Sequence, residues 1–379
     1  MKIILLKIPF HFGKIFWIIT IFTILFPNFV CRAGDKSNRI ENSLIWVDGS
    51  GRGYDSAIYF VSILGNDTND GRSEKSAFRT IVRAFRAVAP GGTIQILPGS
   101  YDAGIRPANF GGADAKITIA GFKGIPTLNG KRKIPIGLFI EKCTNLVLRN
   151  LKIKNYTDIG IGATQCDGIT LENLIVTENG HSVQFSDWEI EGYGIDVEDS
   201  RNVKIINNDV FRNGPNPQIF PDYLMGTGID TFHNQTVLIR GNRSYENIGG
   251  GILVEDSVSV IVEENEVYRN DLDASADEWW DGGIWLDGGR DVIIRNNIFR
   301  DNLGPGIEIS DEDIQHPTGY VLENNLSTGN YYGIFIWNFG TTDWPNTSVL
   351  QRRKNQITGN RRKNVWIEAW LCSDDQPCD

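Results

Sequence analysis

The chain has 379 residues, of which 41% are hydrophobic and 11% aromatic, and its formal net charge is −10. A chain of this length often forms two domains, although a repeat fold of this length can form a single domain. The acidic charge disfavours nucleic acid as a partner, and it disfavours a polyanionic glycan unless cations bridge the two. A neutral polysaccharide fits the charge better.

The first 33 residues have the features of a secretory signal peptide. Three lysines precede the apolar run 15–26, and Pro27 ends that run. The run is short for a membrane span, and Cys31-Arg-Ala33 places a small residue before a cut. An uncleaved anchor, or a lipoprotein modified at Cys31, is the alternative. We expect a secreted chain, extracellular or periplasmic, with net charge −14, because residues 1–33 carry four cationic side chains and no acid.

Four cysteines lie beyond that segment. Cys372 and Cys378 bracket a short polar tail and would close a small disulfide loop in an oxidising compartment. Cys143 and Cys166 begin two copies of one phrase, 23 positions apart, so they should lie about 4.8 Å apart on adjacent repeats. That spacing permits either a disulfide or two stacked free thiols. No Cys/His spacing resembles a zinc site.

The region after the signal segment predicts a linker and then a short series of elements. Residues 34–57 are rich in Gly, Ser and Asp and are typical of a linker. A strand is predicted at 59–62, followed by an Asn- and Gly-rich turn at 65–71, for which a calcium loop is the alternative interpretation. Residues 78–89 have apolar side chains at helical spacing. Another strand is predicted at 93–97.

Three phrases in this region carry a resemblance to a known family. They are Thr80-Ile-x-x-Ala-Phe85, Pro90-Gly-Gly-Thr-Ile94 and Pro98-Gly-x-Tyr101. Their order resembles the amino-terminal cap of secreted right-handed parallel β-helix proteins of the pectate-lyase-like type. The resemblance implies that the helix 78–89 covers the open end of the coil, within a cap of about residues 58–101.

From about residue 140 onward the chain repeats with a basic period of about 23 residues. Each repeat contains a Val-x-Ile strand, a Gly-Ile strand and two turns marked by Asn. Because Asn tolerates a left-handed backbone and can bond its neighbours above and below, we interpret these residues as structural ladders. One ladder is predicted at Asn150, Asn173, Asn208, Asn242, Asn265, Asn297, Asn325 and Asn355, and the other at Asn179, Asn213, Asn247, Asn270, Asn302, Asn330 and Asn360. The repeat predicts an all-β fold, a single-stranded right-handed parallel β-helix over residues 58–379, with a tail at about 362–379.

The Gly-Ile strands place their outward side chains in two columns. In Gly283-Ile-Trp-Leu-Asp287, Ile284 and Leu286 point into the coil and the alternate residues point out; Gly306-Ile-Glu-Ile-Ser310 follows one repeat later. One column reads Asp196, Asp230, Leu253, Trp285, Glu308, Phe335. The other reads Glu198, Phe232, Glu255, Asp287, Ser310, Trp337. Carboxylates interleaved with aromatic side chains indicate a groove for a sugar polymer.

Insertions flank the same strands and should form the walls of a trough. The longest are 180–192, 214–227 and 271–282, and shorter ones lie at 311–317 and 338–346. Aromatic side chains in such polar loops are typical of platforms that stack on pyranose rings. The predicted substrate-binding residues are Asp196, Asp230, Trp279, Trp280, Trp285, Phe335 and Trp337.

Carboxylates are the candidates for chemistry. Hydrolysis of a glycosidic bond needs one carboxylic acid to protonate the leaving oxygen and a second carboxylate as nucleophile or base. Asp287 and Glu308 lie on adjacent repeats, one column apart, so their Cα atoms should be roughly 8 Å apart, which permits a retaining or an inverting pair. Glu255 precedes Asp287 in the same column and is a third candidate. Two carboxylates so close together repel each other, and this repulsion raises the pKa of one of them. The alternative is that these acids only keep an exposed sheet soluble.

The phrase Gly283-Ile-Trp-Leu-Asp287, together with Ile307-Glu-Ile-Ser310, resembles retaining β-xylosidases of β-helix fold. The resemblance implies Asp287 as nucleophile and Glu308 as acid/base. It covers about 30 residues, departs from the family at Gly288-Gly289, and lacks the family's additional sandwich domain. The identity of the sugar therefore stays open.

Two other classes of function compete with a glycosidase. Tyr193-Gly-Ile-Asp196 resembles the start of the Tyr-Gly-Phe-Asp-Pro-His motif of mannuronan epimerases, although Val197-Glu198 replaces Pro-His. A uronate lyase or epimerase would need a cationic or tyrosine base, for which His233 is a candidate, but neither column holds Lys or Arg. A non-catalytic glycan-binding β-helix is the third class. No cofactor is required, no metal site is predicted and calcium is a candidate ligand; no membrane partner is expected beyond the signal segment, and the oligomeric state is left open.

Overall fold

The chain winds through three parallel sheets, and each coil contributes one short strand to each of them. The computed structural model describes residues 44–51, 57–181, 190–216, 224–272, 281–311, 318–338 and 350–369, all within the unit Ile40–Asp379. Strands of successive coils pair in parallel and in register. The fold is the predicted all-β right-handed parallel β-helix.

We number the sheets in the order in which a coil visits them. Sheet 1 contains Ile45–Asp48, Ile105–Ala108, Ile136–Glu141, Ile159–Thr164, Tyr193–Glu198, Ile229–Phe232, Ile252–Glu255, Ile284–Asp287, Ile307–Ser310, Tyr332–Asn338 and Lys363–Ala369. Sheet 2 contains Ile58–Val61, Thr93–Ile96, Ile117–Gly121, Thr144–Arg149, Asp167–Glu172, Arg201–Ile206, Gln235–Arg240, Val258–Glu263, Arg290–Arg295, Tyr320–Glu323 and Leu350–Arg353. Sheet 3 contains Ser100–Tyr101, Thr127–Asn129, Lys152–Lys154, Ile175–Thr177, Asp209–Phe211, Arg243–Tyr245, Glu266–Tyr268, Ile298–Arg300, Leu326–Thr328 and Gln356–Ile357. Ile190–Glu191 and Leu224–Met225 form a separate parallel pair.

Several sequence predictions concern residues outside this description. They are the signal segment 1–33, most of the insertions predicted to form the trough walls (including Trp279 and Trp280), and the pair Cys372 and Cys378. In the part of the chain that the structure describes, no helix is long and apolar enough to cross a membrane.

The interior of the coil is a stack of inward side chains held in register. In sheet 1 one such row holds isoleucine in six successive coils, and each of these six side chains is at least 99% buried. Burying one such side chain contributes about 1.5–3 kcal/mol, so the row strongly favours a single register, and a slip of one residue would turn it outward. Its members are Ile195, Ile229, Ile252, Ile284, Ile307 and Ile334.

Asparagine ladders form two of the turns, as the sequence predicts. Within a ladder the side-chain oxygen of one Asn accepts the backbone N–H of the Asn one coil earlier, as Asn297 does from Asn265 at 2.9 Å. The ladder from Asn179 to Asn360 is confirmed. So is the ladder from Asn208 to Asn355.

The prediction that Asn150 and Asn173 belong to the ladder that ends at Asn355 is wrong. Leu151 and Leu174 occupy the ladder position in those coils, and the N–H of Leu174 bonds Asn208 at 2.9 Å. Both asparagines lie one residue earlier, with φ of 56° and 52°. There they supply the left-handed conformation that the turn needs, which Asn tolerates well.

The third turn, from sheet 1 to sheet 2, contains the cysteine pair. Cys143 and Cys166 are joined as a disulfide, with their Cα atoms 4.5 Å apart. In later coils Ser200 and Asn234 take this position and link the coils by hydrogen bonds instead.

The ends of the coil differ from the sequence prediction. The predicted linker 34–57 contains the strand Ile45–Asp48, which pairs with Ile105–Ala108, because its β-branched and aromatic residues favour a strand within an otherwise Gly-rich stretch. The predicted tail 362–379 begins with Lys363–Ala369, a further strand of sheet 1.

One helix, Ile81–Ala87, lies near the amino-terminal coils. The hydroxyl of Thr80 caps it by accepting the N–H of Arg83 at 3.1 Å. The helix is shorter than the predicted 78–89, because Phe78 forms a β-bridge with Val61 instead. Its apolar face packs into the core, and its role as an end cap stays a prediction.

Candidate active site

The outward columns of sheet 1 have the predicted register. Asp196 pairs with Asp230, Leu253 with Trp285, and Trp285 with Glu308, which in turn pairs with Phe335. In the second column Glu255 pairs with Asp287, and Asp287 pairs with Ser310. The two columns form the floor of the predicted trough.

Asp287 and Glu308 lie on neighbouring strands, offset by two residues. Strand geometry therefore places their Cα atoms roughly 8 Å apart. Asp287 is 6% exposed and Glu308 is 0% exposed, whereas Glu255 is half-buried. Such burial does not fit acids that only keep a surface soluble, because buried carboxyl groups are costly without a function or partners.

A chain of hydrogen bonds connects three of the floor residues. The indole Nε1 of Trp285 donates to Ser310 Oγ at 2.7 Å, and that hydroxyl donates to Asp287 Oδ1 at 2.7 Å. Trp285 is 5% exposed. Trp285 therefore contacts the carboxylate site by its indole edge in this structure.

Tyr320 of sheet 2 approaches the same carboxylate from inside the coil. Complete burial, followed by the charges of Asp287, Asp311 and Asp256, raises the pKa of Tyr320 well above its ordinary value. Its hydroxyl therefore stays protonated and donates to the carbonyl of Gly288. Sequence reasoning placed Tyr320 only as a strand residue, although a tyrosine there follows valine at the same position in the four preceding coils.

The Gly288-Gly289 pair, where the sequence departs from the β-xylosidase resemblance, has a local structural reason. The two residues have φ of 58° and 73°. A Cβ on Gly288 would lie 2.2 Å from Asp256 Oδ1, and one on Gly289 would lie 2.3 Å from the carbonyl oxygen of Ser257. Larger residues do not fit this turn.

Three more buried acids border the floor, and sequence reasoning missed them. Asp281 precedes the strand of Asp287, and its Oδ2 accepts the N–H of Gly250 at 3.2 Å. Asp311 follows the strand of Glu308, and Asp271 lies at the start of an insertion; both are at least 99% buried. The sequence pattern did not indicate that these acids are buried, because all three lie at the ends of segments interpreted as loops.

The remaining predicted binding residues lie in different surroundings. Asp196 and Asp230 are buried on adjacent strands, four and three rungs from Glu308. Phe335 stacks on Tyr332, with ring centroids 5.4 Å apart, and Trp366 packs against both. The backbone of Trp337 lies in the strand Tyr332–Asn338. Their roles in binding stay predictions.

The features that pointed to a lyase or epimerase are not gathered at this acid pair. Tyr193 packs in an apolar cluster with Ile136 and Ile159. His233 lies in the turn after sheet 1, where its Nε2 is 3.3 Å from Asp256 Oδ2. Arg106, on a strand seven rungs from Glu308, is engaged with Glu141 at 2.6 Å.

No group of three or more His, Cys, Asp or Glu side chains within the described residues is arranged to hold a metal ion. Calcium as a ligand therefore stays a prediction.

Family models match separate parts of the chain. A right-handed β-helix region model matches residues 218–350, the glycosyl hydrolases family 28 model matches 121–214, and a protein family of unknown function (DUF1565) matches 63–108. Each match covers less than half of the chain.

Two curated relatives come from Bacillus subtilis. The uncharacterized protein YclG is 23% identical over 285 residues, which is 63% of this chain and 44% of YclG. The uncharacterized protein YwoF is 25% identical over 311 residues, which is 73% of this chain and 63% of YwoF. The chain thus spans less than two thirds of the length of either relative.

Solved structures share the fold at low identity. The pectate lyase Pel9A superposes with a TM-score of 0.59 at 17% identity, covering 87% of this chain and 80% of that one. The GH136 lacto-N-biosidase from Eubacterium ramulus has a TM-score of 0.50 at 14% identity, covering 83% and 67%. The alginate lyase from a Paenibacillus species has a TM-score of 0.50 at 15% identity, covering 74% and 93%. The chain therefore shares the right-handed parallel β-helix fold of these structures.

Proposed function

We propose that the chain is a secreted glycoside hydrolase that cleaves a neutral or weakly acidic polysaccharide or oligosaccharide. The observation that carries this proposal is the pair Asp287 and Glu308, two buried carboxyl groups on neighbouring strands of the trough floor. Glycosidases use two carboxyl groups about 5–9.5 Å apart, and Cα atoms roughly 8 Å apart permit such a pair. The match to the glycosyl hydrolases family 28 model and the shared fold of the lacto-N-biosidase support the class.

The surroundings of the two groups favour different roles. Glu308 is completely buried, with Trp285 and Phe335 as its neighbours in the column, and burial away from water favours the neutral acid that can protonate a leaving oxygen. Asp287 accepts a hydrogen bond from Ser310, which favours the ionised form that attacks the sugar or activates water. Glu255, next to Asp287 in the same column, is the third acid of this centre.

A polysaccharide lyase or uronate epimerase is the second candidate, because Pel9A and the alginate lyase share the fold. A lyase removes a proton next to the uronate carboxyl and leaves an unsaturated sugar. Arg106 is a cation on the described part of sheet 1, but its guanidinium group is already bonded to Glu141. This pairing makes Arg106 a poor candidate for the cation that a lyase needs. A glycan-binding β-helix without catalysis is the third candidate.

One assay separates the three candidates. The mature chain is incubated with a panel of neutral and acidic polysaccharides, with and without a calcium chelator. New reducing ends without ultraviolet-absorbing products support the hydrolase. Products that absorb as unsaturated uronates assign a lyase, a changed uronate composition without cleavage assigns an epimerase, and retention of glycan without products assigns a binding protein.

A further inference from the structure

The hydrogen-bond chain from Trp285 to Asp287 has a fixed direction. An indole N–H can only donate, so Ser310 Oγ is the acceptor in its 2.7 Å contact with Trp285. The hydroxyl hydrogen of Ser310 also needs an acceptor, because Ser310 is 0% exposed. Asp287 Oδ1, at 2.7 Å, accepts the hydrogen bond from this hydroxyl.

This direction distinguishes the two protonation states of Asp287. An ionised carboxylate accepts the Ser310 hydroxyl without conflict. A neutral carboxyl with its proton on Oδ2 can still accept at Oδ1, but a hydrogen bond to a charged carboxylate is stronger, so protonation weakens the contact with Ser310. The arrangement therefore stabilises the carboxylate and holds its orientation.

The other groups around Asp287 act in the opposite sense. Glu255 lies beside it on the preceding strand, and Glu308 lies diagonally on the next strand. Asp256 and Asp311 lie at the corner where Tyr320 approaches. Like charges disfavour ionisation, and the protonated Tyr320 gives its hydrogen to Gly288 rather than to Asp287. A neutral donor aimed at Asp287 offsets this repulsion.

We propose that Ser310 is a positioning residue that holds Asp287 as an oriented carboxylate, and that Trp285 fixes the direction of the Ser310 hydroxyl. The inference rests on the proposed function, because it assigns the means by which the second carboxylate of that site is kept ready for reaction. It also gives Trp285 a role by its indole nitrogen, in addition to its predicted role in binding sugar.

The first test is the pH profile of kcat/KM on a substrate that the wild type cleaves. Ser310→Ala should move the acidic limb to higher pH by about one unit and lower kcat/KM about tenfold on that limb, with kcat falling and KM little changed, because the donor to the carboxylate is lost. Trp285→Phe should move the limb in the same direction by less, and Ser310→Thr should restore it. The control is Ser327→Ala. Ser327 is a fully buried serine of sheet 3 and donates to the carbonyl of Gly333.

An unshifted limb in Ser310→Ala, or an equal shift in Ser327→Ala, would overturn the proposal. If Ser310→Ala does not fold, Trp285→Phe decides alone: an unshifted limb overturns the proposal and a shifted limb supports it.

The second test needs no enzymatic activity, so it separates this inference from the proposed function. The free energy of unfolding is measured against pH for the wild type, Ser310→Ala, Asp287→Asn and the double variant. We expect a coupling between the two positions that is present above the pKa of Asp287 and disappears as the pH falls through it. Coupling in a protein without glycosidase activity refutes the function and supports the hydrogen-bond chain. Glycosidase activity without coupling refutes the chain and supports the function.

Discussion

Single side chains of the trough floor combine features that surface residues rarely share. Asp287 and Glu308 are acidic, buried and located on neighbouring strands of one sheet. Alternation along two strands was enough to predict that both point out of the coil and into one face. The hydrogen bond between Ser310 and Asp287 could not be predicted, because it depends on rotamers rather than on spacing. The approach of Tyr320 from sheet 2 depends on how three sheets close around the core.

Removing either carboxylate should abolish turnover and leave the coil intact. Asp287→Asn and Glu308→Gln change charge but hardly volume, so we expect activity to fall by about a thousandfold or more with little change in the melting temperature. Azide should rescue an Asp287→Ala variant if Asp287 is a nucleophile. The Glu308 variant should keep activity on substrates whose leaving group needs no proton.

The matched control for these two variants is Glu323→Gln, a half-buried acid on sheet 2. It should keep wild-type activity. Full activity in both Asp287→Asn and Glu308→Gln would refute the assignment of the acid pair.

Tyr320 should make the protein sensitive to alkali. Because its pKa is raised in the folded state, its contribution to stability is complete below the ordinary tyrosine value of 10.0 and is lost as the pH rises toward the folded value. Tyr320→Phe should therefore flatten the fall in unfolding free energy above about pH 10, measured by denaturant titration. Tyr331→Phe, which alters a hydroxyl at the exposed surface, should leave that fall unchanged; an unchanged fall in Tyr320→Phe would contradict the prediction.

At the scale of the repeating elements, the turns are held by polar side chains rather than by packing alone. Sequence spacing predicted the ladder from Asn179 to Asn360 completely, because each coil repeats the same letter at the same turn. It misplaced Asn150 and Asn173, because Asn also suits the left-handed position next to the ladder. The strand Ile45–Asp48 was missed because the Gly and Ser residues around it indicated a linker, although three of its own residues favour a strand.

Asn297 offers a direct test of a ladder. Its Oδ1 accepts from both the N–H and Nδ2 of Asn265, and its Nδ2 donates to Asn325 Oδ1 and to the carbonyl of Val262. Asn297→Ala leaves several buried polar groups without partners and should cost on the order of 3 kcal/mol of unfolding free energy. Chemical denaturation at neutral pH measures it.

The adjacent Asn296 serves as the control, since it is exposed and has φ of 56°. Asn296→Gly should change stability by only a few tenths of a kcal/mol, because Gly adopts this conformation without strain. Equal effects of the two substitutions would mean that the ladder does not stabilise the turn.

At the scale of the whole molecule, the trough sheet provides a long linear surface. Its eleven described strands span about 48 Å at the spacing of parallel strands, which is long enough for many sugar units. The acid pair lies toward its carboxy-terminal end, and two aromatic residues of the floor are buried: Trp285 bonds Ser310, and Phe335 stacks on Tyr332. These two side chains therefore contribute to packing, and we expect the aromatic side chains of the insertions to be the main platforms for stacking on sugars.

The last prediction follows from this division between floor and insertions. Trp279→Ala and Trp280→Ala should weaken glycan binding by roughly tenfold or more and hardly lower the melting temperature, because stacking on a sugar ring contributes on the order of 1 kcal/mol or more. The opposite pattern is expected for Tyr332→Leu, since Tyr332 is 2% exposed and stacks on both Phe335 and Trp366. Binding is followed by affinity electrophoresis in the polysaccharide that the assay identifies, and melting by circular dichroism. A large loss of melting temperature with unchanged binding in the two tryptophan variants would assign them to packing, and the sugar would then have to be held by the floor itself.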